Sequence, residues 1–100
     1  MKVYWTPGAH ARLLEIRSCL KQHAPAVAES VTLQLAKRAL ELGDLPAMGR
    51  QLERYRPAEV RELLERPYRR IYRVASTQVD VLTVPHYRQL MPTDLADLHR

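Results

Sequence analysis

The stretch from Tyr68 to Gln89, YRRIYRVASTQVDVLTVPHYRQ, constrains this chain more than any other. Tyr68 to Ala75 and Val79 to Val84 are rich in aromatic and β-branched residues, and Ser76-Thr77-Gln78 lies between them. That pattern predicts two β-strands joined by a tight turn. Its charges are unusual for a hairpin. Arg69, Arg70 and Arg73 ride on the first strand, and the second runs directly into Pro85-His86-Tyr87-Arg88. An imidazole, a phenol and a guanidinium thus follow the last apolar residue, at a strand end where functional groups gather. Alternation leaves the facing open. Tyr68, Arg70, Tyr72 and Val74 share one face, and Arg69, Ile71, Arg73 and Ala75 share the other. Either can be core, because arginine stems lie well along apolar surface.

The hairpin needs cover, and the N-terminal half supplies it. Val3-Tyr4-Trp5 reads as a short strand. Thr6 then Pro7 is a helix-start signal, a hydroxyl at the N-cap and a proline at N1. Ala9, Leu13, Ile16 and Leu20 follow on one helical face. Pro25 breaks that helix at His23-Ala24, because proline disfavours helical geometry in the residue before it. A second helix follows, with Ala28, Val31, Leu35, Ala39 and Leu42 on its buried face. Gly43 is expected just past its end at φ > 0, and Asp44-Leu45-Pro46 ends the element. The two helices form a helical hairpin. Ala47 to Glu59 shows no period and reads as a loop, and Val60 to Glu65 reads as a strand. In the tail, a short helix over Asp94 to His99 is expected, capped by Thr93. The order is β-α-α-β-β-β: an α+β domain with a helical hairpin on one face of a mostly antiparallel sheet, its last three strands a meander. The other face is expected to be open and to do the work.

One hundred residues, 46% hydrophobic, make a single domain, residues 1–100, with a core over 3–90 and a tail over 91–100. The lone Cys19 excludes an internal disulfide and fits a reducing compartment. No apolar run is long enough to span a membrane, and the N-terminus lacks a signal-peptide core, so a cytoplasmic protein is expected. His10, His23 and His99 are scattered without metal spacing, so no metal and no cofactor is expected. No phosphate-binding, dinucleotide-binding or nucleophile-elbow motif occurs. The net charge of +5 favours a polyanion or an acidic partner. Of the 16 basic residues 13 are arginine, the residue of bidentate phosphate and carboxylate recognition, although GC-rich codon usage gives the same excess without a functional demand.

Five strings in order, VYWTP (3–7), PAMGR (46–50), VRELL (60–64), YRRIYRV (68–74) and the closing His86-Tyr87-Arg88, resemble the RelE/ParE superfamily of bacterial toxins. The resemblance spans about residues 3 to 90 and implies the fold already read. It further implies the toxin half of a type II toxin–antitoxin pair, neutralised by an acidic antitoxin. PAMGR and YRRIYRV are more similar to the ParE-like branch, whose members poison DNA gyrase and block growth. That branch asks for a basic, rigid surface facing gyrase or its DNA, and Arg50, Arg61, Arg69, Arg73, His86 and Arg88 are its candidates. The alternative is the RelE-like branch, which cuts messenger RNA on the ribosome. Cleavage by 2′-OH attack needs a base, an acid and cations for the developing charge. His86 and Tyr87 are the candidates for acid and base. The second-helix and loop lysines of active RelE-like toxins are matched only in part, by Lys37 and Arg38. Against these roles stand plainer ones: His86 as a strand-end histidine bonded to backbone, Tyr68 and Tyr72 as packing residues, and Arg54, Arg56 and Arg66 as solvated surface. Leu13, Leu20 and Leu35 are candidate antitoxin contacts, shared in an undetermined way with the core.

Overall fold

The computed structural model describes residues 1–99; Arg100 lies outside the described residues. Strand β1 (Lys2–Trp5) leads into helices α1 (Pro7–His23) and α2 (Pro25–Asp44). Strands β2 (Arg50–Gln51), β3 (Val60–Glu65), β4 (Tyr68–Val74) and β5 (Gln78–Thr83) follow, with 3₁₀ turns at Glu53–Tyr55 and Leu95–His99.

The N-cap that the sequence announced for α1 is formed. Thr6 Oγ1 accepts from the Ala9 amide at 3.1 Å, with Pro7 opening the helix. The same hydroxyl donates to the Val81 carbonyl at 3.0 Å, so the start of α1 is tied to the sheet. Gly43 is a correction. It sits inside α2, and no glycine among the described residues has a positive φ. It is needed for close approach instead: a Cβ there would lie 2.4 Å from the Met1 carbonyl oxygen.

The sheet order is β1-β5-β4-β3-β2. β1 lies parallel to β5, with Val3 opposite Val79, and the other pairs are antiparallel. The segment read as a loop contributes an edge strand, β2, because Arg50 and Gln51 pair with Glu62 and Arg61. Two residues are too few to show a period, which is why the sequence did not mark them. The tail helix is a 3₁₀ turn, and its cap is Asp94, whose Oδ1 accepts from the Ala96 amide at 3.0 Å. Thr93 does not take that role.

A bulge in β5 settles which side is which. Ile71 pairs with Thr83 but Tyr72 pairs with Val81, which leaves Leu82 as the extra residue. Val81 and Val84 therefore both face the helices, in a cluster with Ala9, Ile16, Leu35 and Ala39. Leu82 joins Ile71, Val60, Tyr55 and Leu98 on the opposite side. The second face is thus not left open: the two 3₁₀ turns cover its centre.

Candidate functional site

β4 splits its arginines between the two faces. Arg69 and Arg73 alternate with Arg70, so they share the Ile71 side, away from the helices. Arg50 joins them from the sheet edge, opposite Glu62. Glu62 holds the row together. Its Oε1 lies 3.6 Å from Arg50 Nη2, and its Oε2 lies 3.5 Å from Arg69 Nη1. Arg69 also donates to the Gln89 carbonyl, pinning the C-terminal segment to the sheet. Arg73 faces Asp80 across the ladder, Nη2 to Oδ2 at 3.6 Å. Side-chain exposure is 76% for Arg50, 40% for Arg73 and 15% for Arg69. Arg50 and Arg73 can therefore meet a partner directly, while Arg69 mainly anchors the chain's own backbone.

Arg61 points to the helix side and is spent locally. Its Nε lies 2.8 Å from Glu59 Oε2, and its Nη1 donates to the Gly49 carbonyl at 2.7 Å. Gly49 itself meets Tyr72: its amide donates to the buried phenol oxygen at 2.7 Å, and the phenol donates to the Pro46 carbonyl at 2.8 Å. A Cβ on Gly49 would lie 2.7 Å from that oxygen. Two of the five strings, PAMGR and YRRIYRV, are thus halves of one structural latch. Burial pushes the Tyr72 phenol up, against the bond from Gly49.

His86 bridges to Tyr68, which packs on the helix-side cluster. The two rings meet edge to face with centroids 6.2 Å apart, and the Tyr87 ring lies 4.8 Å from the imidazole. His86 Nδ1 accepts from the Arg88 amide at 3.3 Å, the backbone bond of a strand-end histidine. Arg88 folds onto its neighbour, with Nε donating to the Tyr87 hydroxyl at 2.9 Å and its guanidinium 5.3 Å from the ring centre. The six candidates thus do not form one surface. Arg50, Arg69 and Arg73 lie on the far face, Arg61 lies on the helix side, and His86 with Arg88 forms a knot at the strand end. The expected convergence fails because neighbouring residues on a strand point to opposite faces, and pairing with Tyr68 fixes His86 to the helix side.

Leu35 is 4% exposed and belongs to the core. Leu13 and Leu20 are half-buried against the same cluster. Alongside Leu35 lies a group that the sequence reading missed. Arg70 is fully buried, donating to the Leu35 carbonyl, with Nη1 2.9 Å from Glu65 Oε1. Arg38 Nε reaches the same carboxylate oxygen only at 3.9 Å. Burial pushes the Glu65 carboxyl up, and Arg70, then Arg38, pull it back. No local signal marked it, because Arg70's place between Tyr68 and Tyr72 fits either face of β4.

Among the described residues, no three His, Cys, Asp or Glu side chains are grouped to hold a metal, and no helix is long and apolar enough to cross a membrane.

Residues 3–91 match the family model described as the ParE toxin of the type II toxin–antitoxin system parDE. The fold is similar to a solved structure of the chromosomal ParDE toxin–antitoxin system from P. aeruginosa, with a TM-score of 0.73 and 25% identity. That likeness covers 86% of this chain and 95% of that one. Among curated proteins, no sequence matches it.

Proposed function

The chain belongs to the ParE toxin family and is the toxin component of a type II toxin–antitoxin system, and on that premise we propose that it acts by inhibiting DNA gyrase. The observation that carries this reading is that the exposed cations, Arg50 and Arg73, lie on the far face, apart from the strand-end knot of His86, Tyr87 and Arg88. His86 pairs with Tyr68 on the helix side of the strand end and Arg88 is spent on the Tyr87 hydroxyl, whereas Arg69 and Arg73 lie on the other face with Glu62 and Asp80. Cleavage by 2′-OH attack needs base, acid and cation around one phosphate. Inhibition by binding needs no such convergence. It asks for a stiff, net-basic surface, and exposed Arg50 and Arg73 flank an apolar centre held rigid by packing. Gyrase and its DNA place the site of action in the cytoplasm.

A toxin of this kind has an antitoxin partner. Leu13 and Leu20, half-buried on the helical hairpin, are its proposed apolar contacts, and Leu35 reaches it only as the floor of a cavity.

The deciding experiment adds the purified chain to gyrase and relaxed plasmid. Supercoiling is expected to stop, and Arg50→Ala with Arg73→Ala to weaken the block while leaving the melting temperature unchanged. Undiminished supercoiling by wild type, together with new messenger RNA cuts in primer extension, would sink the reading in favour of ribosomal cleavage.

A further inference from the structure

A cavity of about 180 Å³ opens between α2 and the β3–β4 turn. Val31, Leu35 and Tyr68 give it apolar walls, and Arg38, Glu65 and Arg66 line its polar side. It is smaller than the roughly 300 Å³ at which small-molecule sites begin, so it suits a single side chain. Its charge is unbalanced. Of the described residues that line it, Glu65 carries the one negative charge, against Arg38 and Arg66. Glu65 is itself claimed from behind by Arg70, whose Nη1 and Nη2 lie 2.9 and 3.3 Å from its two oxygens. One carboxylate therefore serves two guanidiniums, and it serves Arg70 first. Arg38 Nε is left buried without a hydrogen-bond partner among the described residues, as are Arg70 Nε and Nη1 and the Glu65 Oε1 that faces both side chains. A buried donor in that state costs free energy, and an incoming acceptor recovers it.

The geometry points to this cavity as an anchor for the antitoxin, taking one Asp or Glu side chain whose methylenes lie on Val31, Leu35 and Tyr68 and whose carboxylate sits between Arg38 and Arg66. The inference rests on the toxin–antitoxin reading and deepens it. Charge selects the occupant: a further carboxylate offsets a cluster in which Arg38, Arg66 and Arg70 outnumber Glu65 and the nearby Glu41, and a guanidinium–carboxylate bond is stronger than a neutral one. A lysine would meet two cations, and a purely apolar side chain would leave Arg38 Nε unpaired. The net charge of +5 draws an acidic partner to the same surface.

The test uses the full ¹⁵N-labelled chain and two capped peptides, N-acetyl-Leu-Glu-Leu-amide and its Gln analogue. The Glu peptide is expected to shift the Val31, Leu35 and Tyr68 amides, and the Gln peptide to bind at least about tenfold more weakly. Arg38→Ala should reduce the Glu peptide to the Gln level. Arg66→Ala, at an exposed turn, gives a second readout should the first variant melt. Equal binding of the two peptides, shifts elsewhere, or no binding by the Glu peptide would overturn the assignment. Growth arrest on expressing the chain alone is scored separately. Its absence would count against the toxin reading rather than against the cavity.

Discussion

Tyr72 shows how much one side chain can hold. Its phenol accepts from Gly49 and donates to Pro46, so it closes the loop that leads into β2. Tyr72→Phe keeps the ring's packing with Leu42 and Val79 but strands a buried amide and a carbonyl. The expected cost is about 1–3 kcal/mol, read from urea melts. The same phenol makes stability sensitive to alkali. Burial pushes Tyr55, Tyr68 and Tyr72 up from their ordinary 10.0, so the protonated form is favoured in the folded chain. Above that pH the unfolded chain loses its protons first. The stabilisation is therefore full below the unfolded pKa and declines as pH rises toward the folded one. Melting temperatures followed from roughly pH 8 to 11 should fall at the alkaline end, and less steeply in Tyr72→Phe.

At the scale of elements, α2 and β1 meet through a glycine. Ala is the better helix former by about 1 kcal/mol, and in an isolated α2 Gly43→Ala would help. Here the added Cβ would meet the Met1 carbonyl oxygen at 2.4 Å and Val3 Cγ2 at 3.3 Å. Since β1 holds its place by parallel pairing to β5 and packing on α2, it is the element that must give way. Gly43→Ala is expected to lower overall stability and to speed hydrogen exchange selectively at the β1 amides. Uniform protection across the sheet would refute that account. The helices themselves were legible because their signals are local: Thr6-Pro7, the three-and-four spacing of Ala9, Leu13, Ile16 and Leu20, and Pro25. β2 was not, since its two residues are strands only by virtue of pairing with β3.

For the molecule as a whole, the C-terminal segment is a second cover for the sheet. Leu98 is 4% exposed among Tyr55, Val60, Ile71 and Leu82, and the Tyr55 hydroxyl donates to the Pro92 carbonyl. Leu90, on the same segment, is 92% exposed. Leu98→Ala should cost about 2–5 kcal/mol, as core truncations do, whereas Leu90→Ala should stay within about 0.5 kcal/mol. Equal and small effects in chemical denaturation would mean that the segment does not belong to the fold. This cover also reshapes the basic face: its centre is apolar packing, and the accessible cations, Arg50 and Arg73, stand at its margins.

Taken alone, the residue order determined two helices, the first capped by Thr6, a β4–β5 hairpin and an arginine-rich, net-basic chain, because caps, helical spacing and strand composition act over a few residues. It left the facing of β4 open, since tyrosines and arginines fit both sides of a strand equally well. Tertiary structure decided that question. Arg70 is buried where Glu65 and the Leu35 carbonyl answer its charge, Ile71 is claimed by the C-terminal cover, and the Leu82 bulge keeps Val81 and Val84 together under the helices. Each of these partners lies on another element of the chain, so no local pattern around β4 encodes the choice between its faces.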